Sequence, residues 1–569
     1  MPARVMKEFQ APRGLPRKTA SVCPECIKVI PAVVREKEGR VVMEKTCRTH
    51  GYFWDVISND VDFYLRMEVY AHDGVGYENP YYDKFKGCPT TCGMCTHHKS
   101  HTGLALMDLT NRCNLKCPVC FANANAAGYV YEPSREQIYF MLKTLREQKP
   151  VGAVAVQFSG GEPTLSPLFL DACNMAYQLG FKQIQVATNG IRMANEPGFA
   201  QASRNNHLHT LYLQFDGLDD EIYRKVRGVP LLKVKQRAIE NARRTHSPAD
   251  ELAVGKPDKP LSVVLVPTLV GGFNESQIMP TIDFALDNLD VVRGVNFQPV
   301  ALTARIPDKD RFAMRFTQSD LVRILCNEGP FEKSDFFPVP SVAPISELVS
   351  IIHGEEKMTL TTHPGCGCAT FAFVDQNRKI TPLTRFMDVD GFFENVEQLI
   401  EKYREARFAR VRTAIAGAQL MHSVAKYFDF SKAPEGINEK NVVKVISGIF
   451  TEGSKDAVGK FAWRALYIGN MHFQDAYDYD IQRLMRCDIH YSIPDGRIIP
   501  FCSYNSGPIY RTEVEQKFSV PVGDFQKAKG LDKVKAKSLD TMGVNGEVVV
   551  DADYYRIRAM KGQPGMGSA

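Results

Sequence analysis

Several features that would define a protein class are missing from this sequence of 569 residues. It contains no run of about eighteen apolar residues, so we expect no membrane-spanning segment. Its first thirty residues contain no apolar core, so we expect no secretory signal peptide. Lys and Arg number 70 against 65 Asp and Glu, and this small excess disfavours a dedicated nucleic-acid-binding protein. Hydrophobic residues at 44% and charged residues at 24% exclude a disordered or fibrous chain.

Fifteen cysteines are too few for a disulfide scaffold in a chain of this length, but most of them are clustered. We therefore expect a reducing, cytoplasmic environment in which thiolates bind metals. Cys173 and Cys326 stand alone on apolar helix faces, where free cysteine packs as a small hydrophobic residue. The other thirteen are candidate metal ligands: Cys23, Cys26, Cys47, Cys88, Cys92, Cys95, Cys113, Cys117, Cys120, Cys366, Cys368, Cys487 and Cys502.

The pattern of apolar residues divides the chain into three predicted domains. Residues 1–102 are rich in Cys, Gly and Pro, which predicts a small module held together by metal ligands. In residues 103–300, apolar strands alternate with amphipathic helices six times, which predicts an α/β fold: a partial (βα)6 barrel or an open doubly wound sheet. Residues 301–569 lose this alternation and predict an α+β domain. Ligand sites are expected at the carboxyl ends of the strands.

Two motifs lie at such strand ends. The segment Cys113-Asn-Leu-Lys-Cys117-Pro-Val-Cys120 follows the first predicted strand, and Gly160-Gly161-Glu162 follows the second. Three thiolates at this spacing can hold three corners of a 4Fe–4S cubane and leave one iron open. Glycines let the backbone approach a ligand, and a glutamate can anchor a cationic amine. A zinc site beside an unrelated glycine turn would need both motifs to fall in βα register by accident.

Together these motifs resemble those of the radical S-adenosylmethionine (SAM) superfamily, over roughly residues 103–300. The resemblance implies a partial (βα)6 barrel in which the three cysteines hold a 4Fe–4S cluster and the Gly-Gly-Glu turn meets the amino group of SAM. It also implies that a reduced cluster cleaves SAM to a 5′-deoxyadenosyl radical, which takes hydrogen from an unactivated C–H bond. The same resemblance implies contacts to the nucleoside at Asn189, Gln214, Asp216, Thr268 and Gln298.

The C-terminal cysteines suggest an auxiliary centre. Cys366, Cys368, Cys487 and Cys502 can supply four thiolates to one 4Fe–4S cluster. We expect the α+β domain to combine this cluster with the substrate site.

The six N-terminal cysteines leave several pairings open. Cys23, Cys26 and Cys47 can form a tetrahedral iron or zinc site with His50 or with a thiol from the second group. That second group, Cys88, Cys92 and Cys95, can hold a cluster with one outside ligand. Because six thiols cannot supply four to each of two sites, a histidine, shared ligands or an open iron is required. Nearby histidines are alternatives, although solvated loop residues are the simpler interpretation for His97, His98 and His101.

The cysteine pattern of nearly the whole chain resembles the tetraether lipid synthase-like group. This implies C–C coupling of lipid alkyl chains, an auxiliary cluster that holds the first alkyl radical, a reducing electron donor and peripheral contact with the membrane. Two alternatives stay open: a radical methylase or maturase acting on a pterin-like heterocycle or peptide, and a multi-cluster electron-transfer protein. The Gly-Gly-Glu turn disfavours the last, because an electron carrier needs no anchor for SAM.

Overall fold

A computed structural model describes residues 10–82, 87–89, 92–122, 124–125, 127–303, 310–375, 378–404, 426–435, 437–444, 465–506 and 508–528. Within these ranges no helix is long and apolar enough to cross a membrane. The described residues form a small antiparallel sheet at the N-terminus and one large, mainly parallel sheet.

The N-terminal sheet is a four-stranded meander of β1 (Arg17–Val22), β2 (Val29–Lys37), β3 (Arg40–Cys47) and β4 (Gly51–Ser58), followed by helix α1 (Val61–Glu68). Alternate residues of β2 and β3 point to one face, because side chains in a strand alternate sides, and they form a small core with Tyr64 of α1. The β1–β2 and β3–β4 turns carry Cys23, Cys26 and Cys47 at one end of this sheet.

The remaining strands are β5 (Leu104–Thr110), β6 (Tyr129–Tyr131), β7 (Ala155–Gly160), β8 (Gln183–Thr188), β9 (Thr210–Gln214), β10 (Ser262–Val266), β11 (Thr268–Leu269), β12 (Val292–Pro299), β13 (Phe337–Pro338), β14 (Cys368–Val374), β15 (Ile380–Pro382), β16 (Ala465–Asn470), β17 (Ile489–Ser492), β18 (Ile498–Pro500) and β19 (Ser519–Pro521). The centre of the large sheet is parallel, in the order β17-β5-β7-β8-β9-β10-β12-β16. Six of these strands coincide with the six βα units predicted from the sequence. The two outer strands, β16 and β17, come from the part of the chain after residue 301.

Helices lie between the strands and continue beyond them. They are α2 (Arg135–Arg146), α3 (Phe169–Gln178), α4 (Ile191–Asn195), α5 (Phe199–Asn205), α6 (Asp220–Arg227), α7 (Leu232–Arg243), α8 (Ala249–Ala253), α9 (Ile278–Asp287), α10 (Arg311–Met314), α11 (Gln318–Glu328), α12 (Ala343–His353), α13 (Val389–Arg404), α14 (Ile481–Leu484), α15 (Phe501–Ser506), α16 (Pro508–Lys517) and α17 (Val522–Ala528). Helix α2 begins as its sequence predicts, because Ser134 and Gln137 form a reciprocal capping box. Its buried face, Ile138, Met141, Leu142 and Leu145, joins the main hydrophobic core.

The parallel order has a direct consequence for the site. Consecutive parallel strands direct their carboxyl ends to one edge of the sheet, so the loops that follow them meet there. The loops after β5, β7 and β8, together with the ends of β9 and β12, line a single cavity of about 350 Å³.

Candidate active site and metal centres

The three cysteines of the central motif face this cavity. Cys113, Cys117 and Cys120 lie in the loop after β5, and all three line its wall. Burial raises the pKa of Cys113 and of Cys117, and the charge of a neighbouring thiolate raises each further. A bound metal would relieve this cost by replacing the protons. Three thiols converging on one cavity match the donor set of a 4Fe–4S cluster with one open iron.

Asn125 fixes the shape of the cysteine loop. Its side-chain oxygen accepts a hydrogen bond from the Cys113 backbone N–H at 3.0 Å, and its Nδ2 donates to the carbonyl oxygens of Cys113 at 2.7 Å and Leu115 at 3.1 Å. The backbone of Asn125 has a φ of 64°, a left-handed conformation that asparagine adopts more readily than most residues. The loop therefore has its own backbone support.

The two glycines of the Gly-Gly-Glu turn allow close contact with that loop. A Cβ atom on Gly160 would lie 2.2 Å from the Thr110 carbonyl oxygen, and one on Gly161 would lie 2.3 Å from the Arg112 carbonyl oxygen. The backbone N–H of Gly161 donates to Thr110 at 2.7 Å, and that of Glu162 donates to Arg112 at 2.8 Å. Both glycines also line the cavity. Glycine is therefore required at both positions, because a side chain would collide with the backbone that leads into the cysteine loop.

Glu162 is buried, with 1% of its surface exposed, and its carboxylate is held from several sides. Its Oε1 accepts hydrogen bonds from the Thr164 hydroxyl at 2.5 Å and the Thr188 hydroxyl at 2.8 Å, and its Oε2 accepts from the Asn189 backbone N–H at 2.8 Å. Burial raises the pKa of Glu162, while these donors oppose that rise. Among the described contacts Oε2 receives a single hydrogen bond, and a carboxylate oxygen can accept two. Oε2 therefore keeps the capacity to accept one further hydrogen bond, although Glu162, unlike Gly160 and Gly161, is not among the residues that line the cavity.

Asp216 is fully buried, and its partner was not identified from the sequence. Arg227 of α6 binds both Asp216 oxygens, with Nε–Oδ2 and Nη2–Oδ1 distances of 2.7 Å. Arg227 also donates to the Thr268 hydroxyl at 3.0 Å and to the Val119 carbonyl oxygen, inside the cysteine loop, at 3.2 Å. Burial opposes the charge on Arg227, but Asp216 raises its pKa above the ordinary value. Arg227 lines the cavity, whereas Asp216 does not line it and instead contacts Arg227.

Lys235 of α7 is a second buried cation near the site. Its Nζ donates to the Asn189 carbonyl oxygen at 2.5 Å and to Gln214 Oε1 at 2.9 Å. Burial lowers the pKa of Lys235 to about 7. Its position on the apolar stripe formed by Leu231, Ala238 and Ala242 is the signal that could have identified it, because a lysine at helical spacing among core residues is exceptional.

The rest of the cavity wall combines apolar and aromatic side chains with a row of amides. Phe473 and Phe501 stack with ring centroids 3.8 Å apart. Gln298 Nε2 donates to the Tyr212 hydroxyl at 3.0 Å, and Asn296 Nδ2 donates to the same hydroxyl. An apolar pocket with a few fixed polar groups is typical of a site for a small organic molecule.

The N-terminal metal site has a complete set of ligands. The ligand atoms of Cys23, Cys26, Cys47 and His50 all lie within 4.8 Å of one another, and His50 Nδ1 is 3.5 Å from Cys23 Sγ and 3.6 Å from Cys47 Sγ. Backbone N–H groups of Thr49 and His50 lower the pKa of Cys47 to about 6, so this thiol binds metal without a large proton cost. Three thiols and one imidazole match a tetrahedral zinc or iron site. Among the fourth ligands left open by the sequence, His50 is the one that lies beside the three thiols.

Of the seven remaining candidate ligands, six fall into two groups of three cysteines, and Cys368 is the seventh. Burial raises the pKa of Cys487 and Cys502, and charges on the members of their group, Cys366, Cys487 and Cys502, raise it further. Cys368, the fourth member of the predicted set, begins β14, and its thiol lies beside Asn470. Its role as a ligand stays a prediction. Cys88, Cys92 and Cys95 line a small cavity of their own together with His97 and His98.

The interpretation of the nearby histidines as solvated loop residues is wrong for two of them. His98 is 7% exposed and His101 is 1% exposed. His98 Nε2 contacts the Cys487 carbonyl oxygen at 2.7 Å and His490 Nε2 at 3.1 Å, and His101 Nε2 accepts from the Thr359 backbone N–H at 2.9 Å. His98 therefore packs the loop that carries Cys95 against the segment that carries Cys487, and His101 binds the segment that precedes Cys366.

Two family models match the chain. The radical SAM superfamily model matches residues 107–285, and the HMPTM N-terminal zinc ribbon domain model matches residues 15–59. The chain is 41% identical over 514 residues to the 7,8-dihydro-6-hydroxymethylpterin dimethyltransferase of Methanocaldococcus jannaschii, which covers 90% of this chain and 97% of that protein. It is 25% identical over 236 residues to the GTP 3′,8-cyclase of Alkaliphilus oremlandii, covering 41% of this chain and 66% of that protein. Streptococcus suis SuiB, a solved structure, is 19% identical with a TM-score of 0.30, covering 40% of this chain and 46% of that one.

These matches confirm some predictions and correct others. The cofactor prediction is confirmed: radical SAM chemistry uses a 4Fe–4S cluster and SAM, and the zinc ribbon indicates mononuclear zinc or iron. The predicted coupling of lipid chains and the predicted lipid partner are wrong, because the relative that spans 90% of the chain is a pterin dimethyltransferase. The physical reason is that cysteine spacing determines which metal centres bind, whereas the substrate is selected by the cavity lining.

Proposed function

Because the chain belongs to the radical SAM superfamily and to the family of the pterin dimethyltransferase, we propose that it methylates a reduced pterin by radical chemistry. The observation that carries this proposal is the extent of the similarity, 41% identity over 514 residues, which covers 90% of this chain and 97% of the relative. The proposed substrate is 7,8-dihydro-6-hydroxymethylpterin or a close relative of it.

The chemistry of the cavity supports a heterocycle over an alkyl chain. A pterin presents N–H and C=O groups around a flat ring, whereas an alkyl chain presents none. Amides and hydroxyls of Gln157, Tyr212, Asn296 and Gln298 line the wall. Asn296 Oδ1 has no hydrogen-bond partner among the described residues, and an alkyl chain could not supply one. The aromatic pair of Phe473 and Phe501 supplies the flat apolar surface that a ring can stack on.

Each part of the site would have its own task. Cys113, Cys117 and Cys120 would hold the 4Fe–4S cluster, which when bound supplies the electron that cleaves SAM. Glu162 Oε2 would accept a hydrogen bond from the amino group of SAM. Arg227, held by Asp216, would orient the cysteine loop through the Val119 carbonyl oxygen. Nucleoside contacts would fall on Asn189, Gln214, Thr268 and Gln298, which all line the cavity.

The finer architecture is part of the same proposal. The six central βα units would curve into a partial (βα)6 barrel around the cavity, and residues 301–569 would close its edges through β16 and β17. The two outer groups of three cysteines would each hold an auxiliary cluster that passes electrons from an external donor.

A substrate-dependence assay tests this function. Anaerobically reconstituted protein is incubated with dithionite and SAM, alone or with 7,8-dihydro-6-hydroxymethylpterin, and 5′-deoxyadenosine is measured. We expect the pterin to increase the rate of 5′-deoxyadenosine release, whereas GTP, the substrate named for the cyclase relative, should leave that rate unchanged. Release that is unaffected by the pterin would contradict the proposal.

A further inference from the structure

Asn296 holds an unusual position in the cavity wall. It lies in β12 two residues before Gln298, so both side chains leave the same face of the strand and both line the cavity. Asn296 is 9% exposed, and its Nδ2 is engaged by the Tyr212 hydroxyl. Its Oδ1 has no hydrogen-bond partner among the described residues. A buried carbonyl oxygen without a partner costs free energy, so its presence requires an explanation.

The neighbouring amides do not share this property. Gln157 Oε1 accepts from Gln185 Nε2 at 2.7 Å, and Gln214 Oε1 accepts from Lys235 at 2.9 Å. The acceptor oxygens of these two amides are therefore used inside the protein, while that of Asn296 is not. A second buried oxygen without a partner among the described residues, Thr303 Oγ1, lines the same cavity. Two such atoms in one cavity indicate polar positions reserved for a ligand.

The depth of Asn296 separates it from the position proposed for SAM. The cysteine loop, which fixes where SAM would bind, lies at the carboxyl edge of the sheet. Asn296 is two residues further from that edge than Gln298, and a strand advances about 3.3 Å per residue, so it lies roughly 7 Å deeper. A molecule that reaches Asn296 therefore occupies the inner part of the cavity, beyond the nucleoside contacts.

We propose that Asn296 is a specificity-determining residue whose Oδ1 accepts a hydrogen bond from the N–H edge of the aminopyrimidinone ring of the substrate. This inference rests on the proposed function and adds the position at which the pterin ring is recognised. The 2-amino group and N3–H of a pterin form a row of donors, which matches a fixed acceptor. Tyr212 holds the carboxamide by its nitrogen, so the oxygen is already oriented before the substrate arrives.

The test compares Asn296→Leu, which keeps the size of the side chain and removes the acceptor, with Asn296→Asp, which keeps an acceptor. The control is Ser262→Ala, which removes a hydrogen bond to Thr210 (2.8 Å) in the neighbouring strands but does not line the cavity. The substrates are 7,8-dihydro-6-hydroxymethylpterin, an analogue without the 2-amino group and an analogue methylated at N3. For each we would measure kcat/KM, the KM for SAM, and binding to the reconstituted holoenzyme by equilibrium dialysis.

We expect the wild type to prefer the parent pterin over at least one analogue by about 10- to 100-fold, the effect of one buried hydrogen bond. Asn296→Leu should lose this preference through weaker use of the parent pterin, with the KM for SAM unchanged. Asn296→Asp should retain part of the preference, and Ser262→Ala should retain all of it.

Several outcomes would overturn the inference. If Asn296→Leu prefers the parent pterin over the analogues as strongly as the wild type does, Asn296 Oδ1 does not bind the pterin ring. If Asn296→Leu raises the KM for SAM, Asn296 contacts the nucleoside instead. If the wild type binds the pterin with this preference but does not methylate it, the proposed function fails while the recognition site stands. If the wild type binds no pterin, both fail.

Discussion

Arg227 and Asp216 form a buried two-point ion pair that joins the cysteine loop to the end of β9. Both N–O distances are 2.7 Å, Asp216 is fully buried, and the Arg227 side chain is 10% exposed. The third nitrogen of the guanidinium, Nη1, donates a hydrogen bond to the carbonyl oxygen of Val119, which lies between Cys117 and Cys120. The loop that would hold the cluster is therefore anchored to the strand ends that line the cavity.

Removing the cation from this pair should destabilise the fold. Arg227→Met leaves the buried Asp216 carboxylate without its bound arginine, although Gln214 and the Thr268 backbone N–H still donate to it. We expect a loss of about 3–5 kcal/mol in the free energy of unfolding, measured by urea denaturation of the metal-free protein. The double variant Arg227→Met, Asp216→Asn should recover part of this loss. Arg224→Met, which breaks an exposed pair with Glu221 on the same helix, is the control and should cost less than about 1 kcal/mol. Equal losses for Arg227→Met and Arg224→Met would refute this account.

Lys235 predicts a specific dependence of stability on pH. Its pKa is lowered from the ordinary value of 10.5 to about 7 in the folded protein, so between these values the unfolded chain binds more protons. The free energy of unfolding should therefore rise with pH across this window, by at most about 1.4 kcal/mol per pH unit from this group. The difference between wild type and Lys235→Met isolates that slope in denaturation curves. Lys233→Met, on the exposed side of the same helix, should keep the wild-type slope, and a slope that survives in Lys235→Met would show that the lysine is not the cause.

The central cysteines should be required for SAM cleavage. Cys117→Ala removes one of the three thiols that face the cavity, and we expect it to abolish 5′-deoxyadenosine formation by reconstituted, reduced protein. The control is Cys326→Ser, a partly buried cysteine of α11 outside the metal groups, which should retain the activity. Continued cleavage by Cys117→Ala would show that the cluster binds elsewhere.

The N-terminal site should bind one metal ion independently of the iron–sulfur clusters. Cys26→Ser removes one of the four converging ligands, so elemental analysis should show the loss of one zinc or iron per chain with the sulfide content unchanged. Cys326→Ser again serves as the control. A wild-type metal content in Cys26→Ser would contradict the four-ligand assignment.

Much of the central fold could be predicted because its signals are local. The six predicted alternations of strand and helix in residues 103–300 match β5, β7, β8, β9, β10 and β12 and the helices that follow them, and Ser134 caps α2 through its own side chain. The outer parallel strands β16 and β17 could not be predicted, because they pair with strands far earlier in the chain: Tyr467 lies opposite Gly294, and Ile489 lies opposite Leu104. Neither strand is followed by a regular βα unit. Parallel pairing at that separation leaves no pattern in the sequence of a short strand.

The site was predictable where residue type and spacing determine the chemistry. The Cys113–Cys120 motif and the Gly-Gly-Glu turn lie together as expected, whereas Cys368 begins β14 with its thiol beside Asn470. Arg227 and Lys235 occupy ordinary positions of amphipathic helices, so only their partners in space distinguish them. The substrate depends on single side chains such as Asn296, which no motif marks.

The most direct test of the proposed function is the mass of the pterin after reaction. Reconstituted protein is incubated with SAM as the radical source, a reductant, 7,8-dihydro-6-hydroxymethylpterin and a methyl donor, which is either further SAM or the small-molecule fraction of a cell lysate. The products should be heavier by one and then two methyl groups, and Cys117→Ala should yield neither. If the protein cleaves SAM but the mass of the pterin stays unchanged with either methyl donor, the central claim is contradicted.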